Sequence, residues 1–285
     1  MLTTRISLLA LALFSAGQVM ADSQADSKGF VEDSHLNLAL RNAYINRDYK
    51  NGSEDKAEWG QAFMANFASG FTQGTVGVGV DAFGLYGVRL DGGKGRSGAG
   101  GIDFFKQGDS GAAADDLSRV GAAVKARISN TVIKYGDQMP ALPVLSYDNA
   151  RLLPESYTGT LITSKEIKGL ELNAGRFTAE ARKSAGLEVV AGRFTQQARK
   201  SAEGRDSGDL KRIDVYGASY KFSDAFTAAF YASNNEDVFK KQYLNLNYVW
   251  ALQPDQSLTF DFNGYNTKLD KDYSAAAAAG ERDNK

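Results

Sequence analysis

Basic side chains at alternating positions are the residues of this sequence best suited to bind a ligand. Five of them fall in segments that read as β-strands, namely Arg41, Arg47, Lys125, Arg127 and Lys134. A guanidinium group matches a carboxylate bidentately, and a file of cations along a confined water path selects anions and passes them from site to site. The pattern therefore favours a surface that attracts small anions, carboxylates among them. The alternative is that these cations form ion pairs with carboxylates of neighbouring strands, such as Asp81, which only neutralise their charge.

Metal-dependent and covalent chemistry have little support in the composition. The chain of 285 residues has no cysteine and a single histidine, His35, so it offers neither a disulfide framework nor a thiolate metal site. Residues 93–98 formally match a dinucleotide-binding pattern, but glycines continue where a helix would have to follow. We therefore predict no catalytic residue, no metal, no cofactor and no enzymatic activity. The formal net charge of −1 argues against a nucleic-acid partner.

The first 21 residues have the parts of a secretory signal peptide. Arg5 supplies the positive charge, residues 6–14 form an apolar run too short to span a bilayer, and small residues favour cleavage after Ala21. The mature chain is expected to be exported, with 22–34 as a periplasmic N-terminal segment. No later stretch reaches the roughly 18 consecutive apolar residues of a membrane helix. This leaves a released protein or an outer-membrane β-barrel.

Apolar and polar residues alternate with period two along much of 35–267. In 244–250 (LNLNYVW) and 258–263 (LTFDFN), for example, every second side chain is apolar. About eleven such runs have the length of a tilted membrane strand. Short links such as 129–130 alternate with long ones such as 91–118, as expected for tight periplasmic turns and long extracellular loops. The sequence predicts an all-β fold, an antiparallel up-and-down transmembrane β-barrel of the porin type.

Six stretches of the sequence resemble the OprD family of outer-membrane porins. They are LNLALRNAYINRDY (36–49), SGFTQGTVGVGVDAFG (69–84), VKARISNTVIKYGDQMPALPVL (124–145), ARLLPESYTG (150–159), GLELNAGRFT (169–178) and QYLNLNYVWALQPDQSLTFDFN (242–263). The resemblance implies a selective channel in a Gram-negative outer membrane for small carboxylate-bearing nutrients, such as amino acids, short peptides or aromatic acids. It also implies an inward-folded third extracellular loop and a ladder of Arg and Lys that conducts the carboxylate.

The segment 137–157 occupies the position of that third loop. It contains three of the four prolines of the chain, Pro140, Pro143 and Pro154. Because proline is excluded from sheet ladders, we predict an ordered loop rather than a strand. The resemblance implies that the loop folds inward as a constriction, with Arg151 of the RLLP motif as its cation. Tyr147 and Asp148 are the candidate polar groups opposite this cation. An ordinary surface loop is the alternative.

Residues 169–185 and 186–202 form a tandem repeat that is identical at 13 of 17 positions. A second full strand would reverse the direction of every later strand and place the long loops on the periplasmic side. We therefore predict that one copy supplies the strand after the turn at Lys168 and Gly169. The other copy is expected to lengthen the next extracellular loop or to pair as a protruding flap.

The predicted strand count is small for a porin. Porins of this type have about 16 to 18 strands, and bacterial barrels have an even number. We therefore expect a partial barrel over 35–267, with about 11 strands of about 18, and an extracellular loop or truncated tail at 268–285. A non-conducting barrel anchor or adhesin, or a non-functional porin fragment, is the alternative to a channel. The expected partners are outer-membrane lipid and lipopolysaccharide, carboxylate solutes, and other copies in a trimer.

Overall fold

The computed structural model describes residues 23–50, 52, 55–91, 102–106, 112–181, 190–191, 212–236, 238–253 and 255–270. The predicted signal peptide, the glycine-rich stretch 93–98 and most of the predicted tail lie outside the described residues. Among the residues described, no helix has the length and apolar character needed to cross a membrane.

Fourteen strands follow one 3₁₀ turn at Gln24–Asp26. They are β1 (His35–Arg47), β2 (Lys56–Ala68), β3 (Val76–Asp91), β4 (Asp116–Ile128), β5 (Thr131–Gln138), β6 (Ala141–Leu142), β7 (Leu145–Ser146), β8 (Ser156–Ser164), β9 (Leu170–Ala181), β10 (Val190–Ala191), β11 (Ile213–Lys221), β12 (Phe226–Asn235), β13 (Phe239–Gln253) and β14 (Gln256–Leu269). Eleven of these are long, and three have two residues. The predicted eleven strands are confirmed within the described part of the chain.

The eleven long strands form one antiparallel sheet in the order β1-β2-β3-β4-β5-β8-β9-β11-β12-β13-β14. Each strand therefore pairs with the next long strand along the chain, as in an up-and-down barrel wall. The period-two pattern gives the sheet two unlike faces, because successive side chains of a strand point to opposite sides. In β1, Leu38 is 71% exposed and Ala39 only 8%. We call the face with Leu38 the outward face and the face with Ala39 the inward face.

Short and long connections alternate, with one exception. The links at one end of the sheet are short, such as 129–130 and 165–169, and those at the other end include 92–115, 139–155 and 182–212. The exception is the link 236–238 between β12 and β13, which lies at the long-loop end and has only three residues. The strict alternation in length predicted from the sequence is therefore wrong at this one connection.

Glu166 joins two of the tight turns. Its carboxylate accepts hydrogen bonds from the Thr131 hydroxyl (2.7 Å), the Ser129 hydroxyl (2.8 Å) and the Asn130 backbone N–H (2.9 Å). These bonds hold the pKa of the Glu166 carboxyl below its usual range, with the Thr131 bond as the largest cause. Gly169 ends the second turn with φ +82°, a left-handed conformation that costs glycine little. This end of the sheet is therefore closed by bonds between neighbouring turns.

The first copy of the tandem repeat supplies β9, in agreement with the predicted topology. Of the second copy only Val190–Ala191 is described, and these two residues pair antiparallel with Glu180 and Ala179 of β9. The rest of the second copy lies outside the described residues.

Loop segments fill much of the inward side. One apolar cluster places Leu152 and Leu153 of the 139–155 loop against Leu85 of β3, together with Phe104 and Phe105 of the second long connection. The other cluster packs Leu142, Val144 and Leu145 against the residues Tyr157, Phe177, Ile213, Val215, Tyr231, Val238 and Tyr243. Pro143 sits in the turn of a small β6–β7 hairpin, and β5 and β8 reach into the segment at 137–138 and 156–157. The prediction that 137–157 contains no strand is therefore wrong for these eight residues.

Candidate functional site

The third long connection, 139–155, folds over the inward face as predicted. Its link to β1 is the Arg41 guanidinium, which donates hydrogen bonds to the Asn149 side-chain oxygen (2.8 Å) and to the backbone carbonyls of Arg151 and Leu152. The loop leaves from β5, so this contact reaches four strands across the sheet. Such a reach requires the loop to cross the inward side rather than extend away from it. Arg41 therefore fixes the loop in its inward position.

Arg119 is a second anchor of this loop, which the sequence analysis did not single out. Its side chain is 1% exposed and donates to the backbone carbonyls of Ala181 (2.8 Å) and Pro154. The carboxyl groups of Glu155, Asp137 and Glu180 attract its charge. Arg119 has the same parity in β4 as Lys125 and Arg127, so the two-residue alternation is a signal that could have placed it on the inward face.

Glycines in the wall make room for the loop. A Cβ atom at Gly60 would lie 2.6 Å from Cδ2 of Leu152 and 3.0 Å from Cζ of Phe105. A Cβ atom at Gly87 would lie 3.0 Å from the same Leu152 methyl group. Both glycines are on inward positions of adjacent strands, β2 and β3. The apolar side of the loop therefore packs directly on the backbone of the wall.

The second long connection also folds inward, a feature that the sequence analysis missed. Glu58 of β2 is fully buried, and its carboxylate accepts hydrogen bonds from the backbone N–H groups of Phe104 (2.8 Å) and Phe105 (3.3 Å). The two phenyl rings then join Leu152 in one cluster. Segment 102–106 thus supports the third loop from the side. The period-two pattern of the sequence could not reveal this, because these two partners of Glu58 are backbone groups 46 and 47 positions away.

Lys125 and Lys134 form ion pairs with Asp81. The Lys125 ammonium lies 2.7 Å from Asp81 Oδ1 and also donates to the Ser69 carbonyl (2.7 Å), while Lys134 contacts the other carboxylate oxygen. The three residues belong to adjacent strands β3, β4 and β5 and share the inward face. The pairing with Asp81 considered as an alternative in the sequence analysis is thus present.

An Asp81→Asn variant is expected to make this part of the wall more attractive to anions. Removing the carboxylate leaves two ammonium groups without their acidic partner. A unit charge about 4 Å from a passing ion in water changes the interaction energy of that ion by ~1 kcal/mol. This corresponds to about a fivefold change in permeability ratio. Reversal potentials across a planar bilayer, measured with a low-salt gradient, would record the change. An unchanged chloride-to-potassium permeability ratio would contradict it.

Arg127 is covered by the N-terminal segment. Its guanidinium is 4% exposed, donates to the side-chain oxygen of Gln24 (2.9 Å) and stacks 4.3 Å from the centre of the Phe71 ring. Gln24 in turn donates to the carbonyls of Thr72 (2.8 Å) and Gly74 (3.1 Å) in the β2–β3 turn. Arg127 therefore helps to bind the N-terminal segment to the short-turn end of the sheet.

The remaining predicted site residues lie toward the long-loop end. Arg151 is partly exposed in the inward loop, where its guanidinium donates to the Ala150 carbonyl (3.1 Å). Tyr147 and Asp148 lie in the same loop, and the Asp148 carboxylate accepts the Ala150 backbone N–H (2.6 Å) as part of a local turn. Arg47 ends β1 on the inward face. The structure thus brings Arg41, Arg119 and Arg151 together at the loop, and Lys125, Arg127 and Lys134 near the short turns.

An up-and-down antiparallel wall with an apolar outward face and a loop anchored across its inward face defines a porin-type outer-membrane protein. The chain belongs to the OprD family: residues 28–285 match the family described as outer membrane porin, OprD family. Porin D of Pseudomonas aeruginosa is 41% identical over 254 residues, which are 89% of this chain and 55% of Porin D. Proteins of this family reside in the Gram-negative outer membrane.

Solved structures support the same assignment. Acinetobacter baumannii OccAB1 is similar with a TM-score of 0.76 and 35% identity, covering 91% of this chain and 62% of that chain. Pseudomonas aeruginosa OpdK, solved with vanillate, has a TM-score of 0.73 and 35% identity, covering 87% and 61%. The chain spans about half the length of the curated relatives it matches.

Proposed function

We propose that this chain forms part of a passive channel for small carboxylate-bearing solutes across the outer membrane. The observation that carries the proposal is the inward loop 139–155, held to the wall by Arg41 and Arg119 and presenting the partly exposed cation Arg151. A loop fixed across the inward face narrows a water path. A guanidinium at the narrow point favours carboxylates, because the planar group donates two parallel hydrogen bonds to their two oxygens.

The basic residues are proposed to have unequal parts in conduction. Arg41 and Arg127 already hold the loop and the N-terminal segment, and Lys125 and Lys134 share Asp81. Arg151 and Arg47 are the stronger candidates for direct contact with solute, because both are partly exposed toward the long-loop end of the inward side. Aromatic acids are one suitable class, since OpdK was solved with vanillate and is 35% identical to this chain. Amino acids and short peptides carry the same carboxylate.

The proposed arrangement of the whole chain follows the sequence expectations. The segment 22–34 would lie on the periplasmic side, where Gln24 contacts the short turns, and 35–267 would form the wall. Residues 268–285 would continue on the extracellular side. A trimer is one arrangement in which the outward face could meet further copies.

An Arg151→Ala variant is expected to lower carboxylate flux by about tenfold or more, since a charge-assisted hydrogen bond to a carboxylate contributes about 1.5 to 3 kcal/mol. The measurement is swelling of proteoliposomes in benzoate and in an uncharged solute of similar size. Arg176→Ala is the matched control, because Arg176 lies on the outward face in an ion pair with Asp214.

Equal loss for the charged and the uncharged solute would contradict a selective role for Arg151. Absence of any flux through the unmodified protein would favour the alternative, a non-conducting barrel anchor or a non-functional porin fragment.

A further inference from the structure

One row of side chains crosses five neighbouring strands on the outward face, at the long-loop end. The strand register pairs Arg176 with Asp214, Asp214 with Asn234, Asn234 with Lys240, and Lys240 with Lys268. We call these five residues the charged row. Every strand from β9 to β14 in the main sheet contributes one member. The alignment therefore follows from the register of the whole sheet and not from one local turn.

The outward face becomes apolar below the charged row. The next outward row consists of Ala174, Tyr216, Ala232, Gln242 and Asn266, and the one after it of Leu172, Ala218, Phe230, Leu244 and Gly264. Still lower lie Leu246, Tyr248, Phe260 and Phe262, all of them exposed. This change from charged to amide and aromatic to aliphatic side chains is the order in which a membrane protein crosses from headgroups into hydrocarbon.

The height of the charged row fits the outer boundary of the hydrocarbon layer. From Lys240 to the exposed aromatic Trp250, β13 advances ten residues, or about 34 Å along the strand. At a tilt of about 40° this is roughly 25 Å along the membrane normal, the height of the apolar band in outer-membrane barrels. With Trp250 at the inner interface, Lys240 lies at the level of the outer-leaflet headgroups.

Among the described residues of this region, acidic and basic side chains form ion pairs near β9 and β11, but not at β13 and β14. Asp214 contacts Arg176 at 2.6 Å and Arg212 at 3.2 Å, and Glu236 lies 3.5 Å from Arg212. Lys240 and Lys268 face each other directly across β13 and β14. Within the part of the chain that the structure describes, neither ammonium group makes a hydrogen bond or an ion pair. Like charges directly opposite each other destabilise a sheet unless an anion lies between them.

We propose that Lys240 and Lys268 bind a phosphate group of a lipid A headgroup in the outer leaflet. Directly paired residues have Cβ atoms about 5 Å apart, so both ammonium groups can reach one phosphate. Gln242 and Asn266, bonded to each other one row below at 3.3 Å, offer amides to the neighbouring sugar. The acyl chains would then lie along the apolar rows. This surface acts from outside the wall, independently of solute passage.

The test uses the protein extracted from outer membranes and titrated with diphosphoryl lipid A, with bound lipid counted by native mass spectrometry. The double variant Lys240→Gln, Lys268→Gln is expected to weaken binding by roughly tenfold or more, because each basic residue near an anionic surface contributes about 1 kcal/mol. Lys241→Gln is the matched control. Lys241 is the adjacent residue on the inward face, 5.5 Å from the Phe239 ring, and its loss should change nothing.

Two further measurements make the result decisive. Lipid A without phosphates should bind equally to the unmodified protein and to the double variant. The charge-preserving pair Lys240→Arg, Lys268→Arg should retain binding of the diphosphoryl form, and it carries the test if the glutamine variant does not fold. Unchanged affinity in the folded glutamine variant, or equal weakening by Lys241→Gln, would overturn the proposal.

Discussion

An Arg119→Met variant is expected to lose about 3 to 5 kcal/mol of unfolding free energy, the usual cost of removing one partner from a buried charge group. The Arg119 guanidinium is almost fully buried and binds the backbone carbonyls of Ala181 and Pro154. Methionine fills similar space but cannot donate to these carbonyls. It would also leave the buried carboxyl group of Glu180 without the cation that attracts it. The loss should therefore affect both the wall and the anchored loop.

Two measurements separate these effects. Thermal unfolding, followed by the change in gel mobility that outer-membrane barrels show on heating, reports the stability of the wall. Single-channel conductance reports the position of the loop, and the conductance should rise when 139–155 leaves the inward face. Arg176→Met is the control, since that side chain is 58% exposed and solvent screens its ion pair with Asp214, so its loss should leave unfolding and conductance nearly unchanged. An Arg119 variant that unfolds and conducts like the unmodified protein would refute the anchoring role.

The strands could be predicted from the sequence because their information is local. Two-residue alternation gives each strand and its two faces, and it placed Lys125, Arg127 and Lys134 on the inward face, where the structure finds them. Tight turns such as Ser129–Asn130 could also be predicted, because their sequence signals are local. Strand order then follows almost automatically, since each long strand pairs with the next one along the chain.

The contacts made by these residues could not be predicted, because they join distant parts of the chain. Arg41 binds carbonyls about 110 positions away, and Arg127 binds Gln24, 103 positions away. Phe71 shows the same difficulty. Its place near a strand end suggests an aromatic girdle in the lipid, yet the ring is buried beneath Lys125 and Arg127. Parity determines which face a side chain takes, but not what folds over that face.

The tandem repeat shows how a single buried contact can choose between nearly identical segments. Asn173 in the first copy is 4% exposed, donates to the Thr163 hydroxyl (3.0 Å) and accepts from the Tyr231 hydroxyl (2.9 Å). The equivalent position in the second copy is Val190, which can make neither bond and would leave both hydroxyls without this partner. The first copy is therefore the better β9. The alternation of apolar residues, which the two copies share, does not distinguish them.

A Gly60→Val variant is expected to be destabilised by about 1 to 3 kcal/mol and to conduct more current, because its side chain would overpack the loop contact. Strand propensity alone predicts the opposite sign, since valine favours strands and glycine weakens them. The difference arises from Leu152, whose Cδ2 atom would lie 2.6 Å from the new Cβ atom. Leu152 is fully buried and cannot turn into solvent. The loop must therefore shift away from the wall.

Gly84→Val supplies the matched comparison, because a Cβ atom at Gly84 in the neighbouring strand would meet no atom within 4 Å. This control should show the valine propensity effect alone, with equal or higher stability and unchanged conductance. Combining Gly60→Val with Leu152→Ala should cost less than the sum of the two single changes, because the smaller side chain vacates the space that valine needs. Strictly additive losses, or a Gly60 variant as stable as the Gly84 variant, would mean that the loop does not pack on Gly60. A coupled result would show that this contact, together with the Arg41 and Arg119 anchors, sets the position of the inward loop.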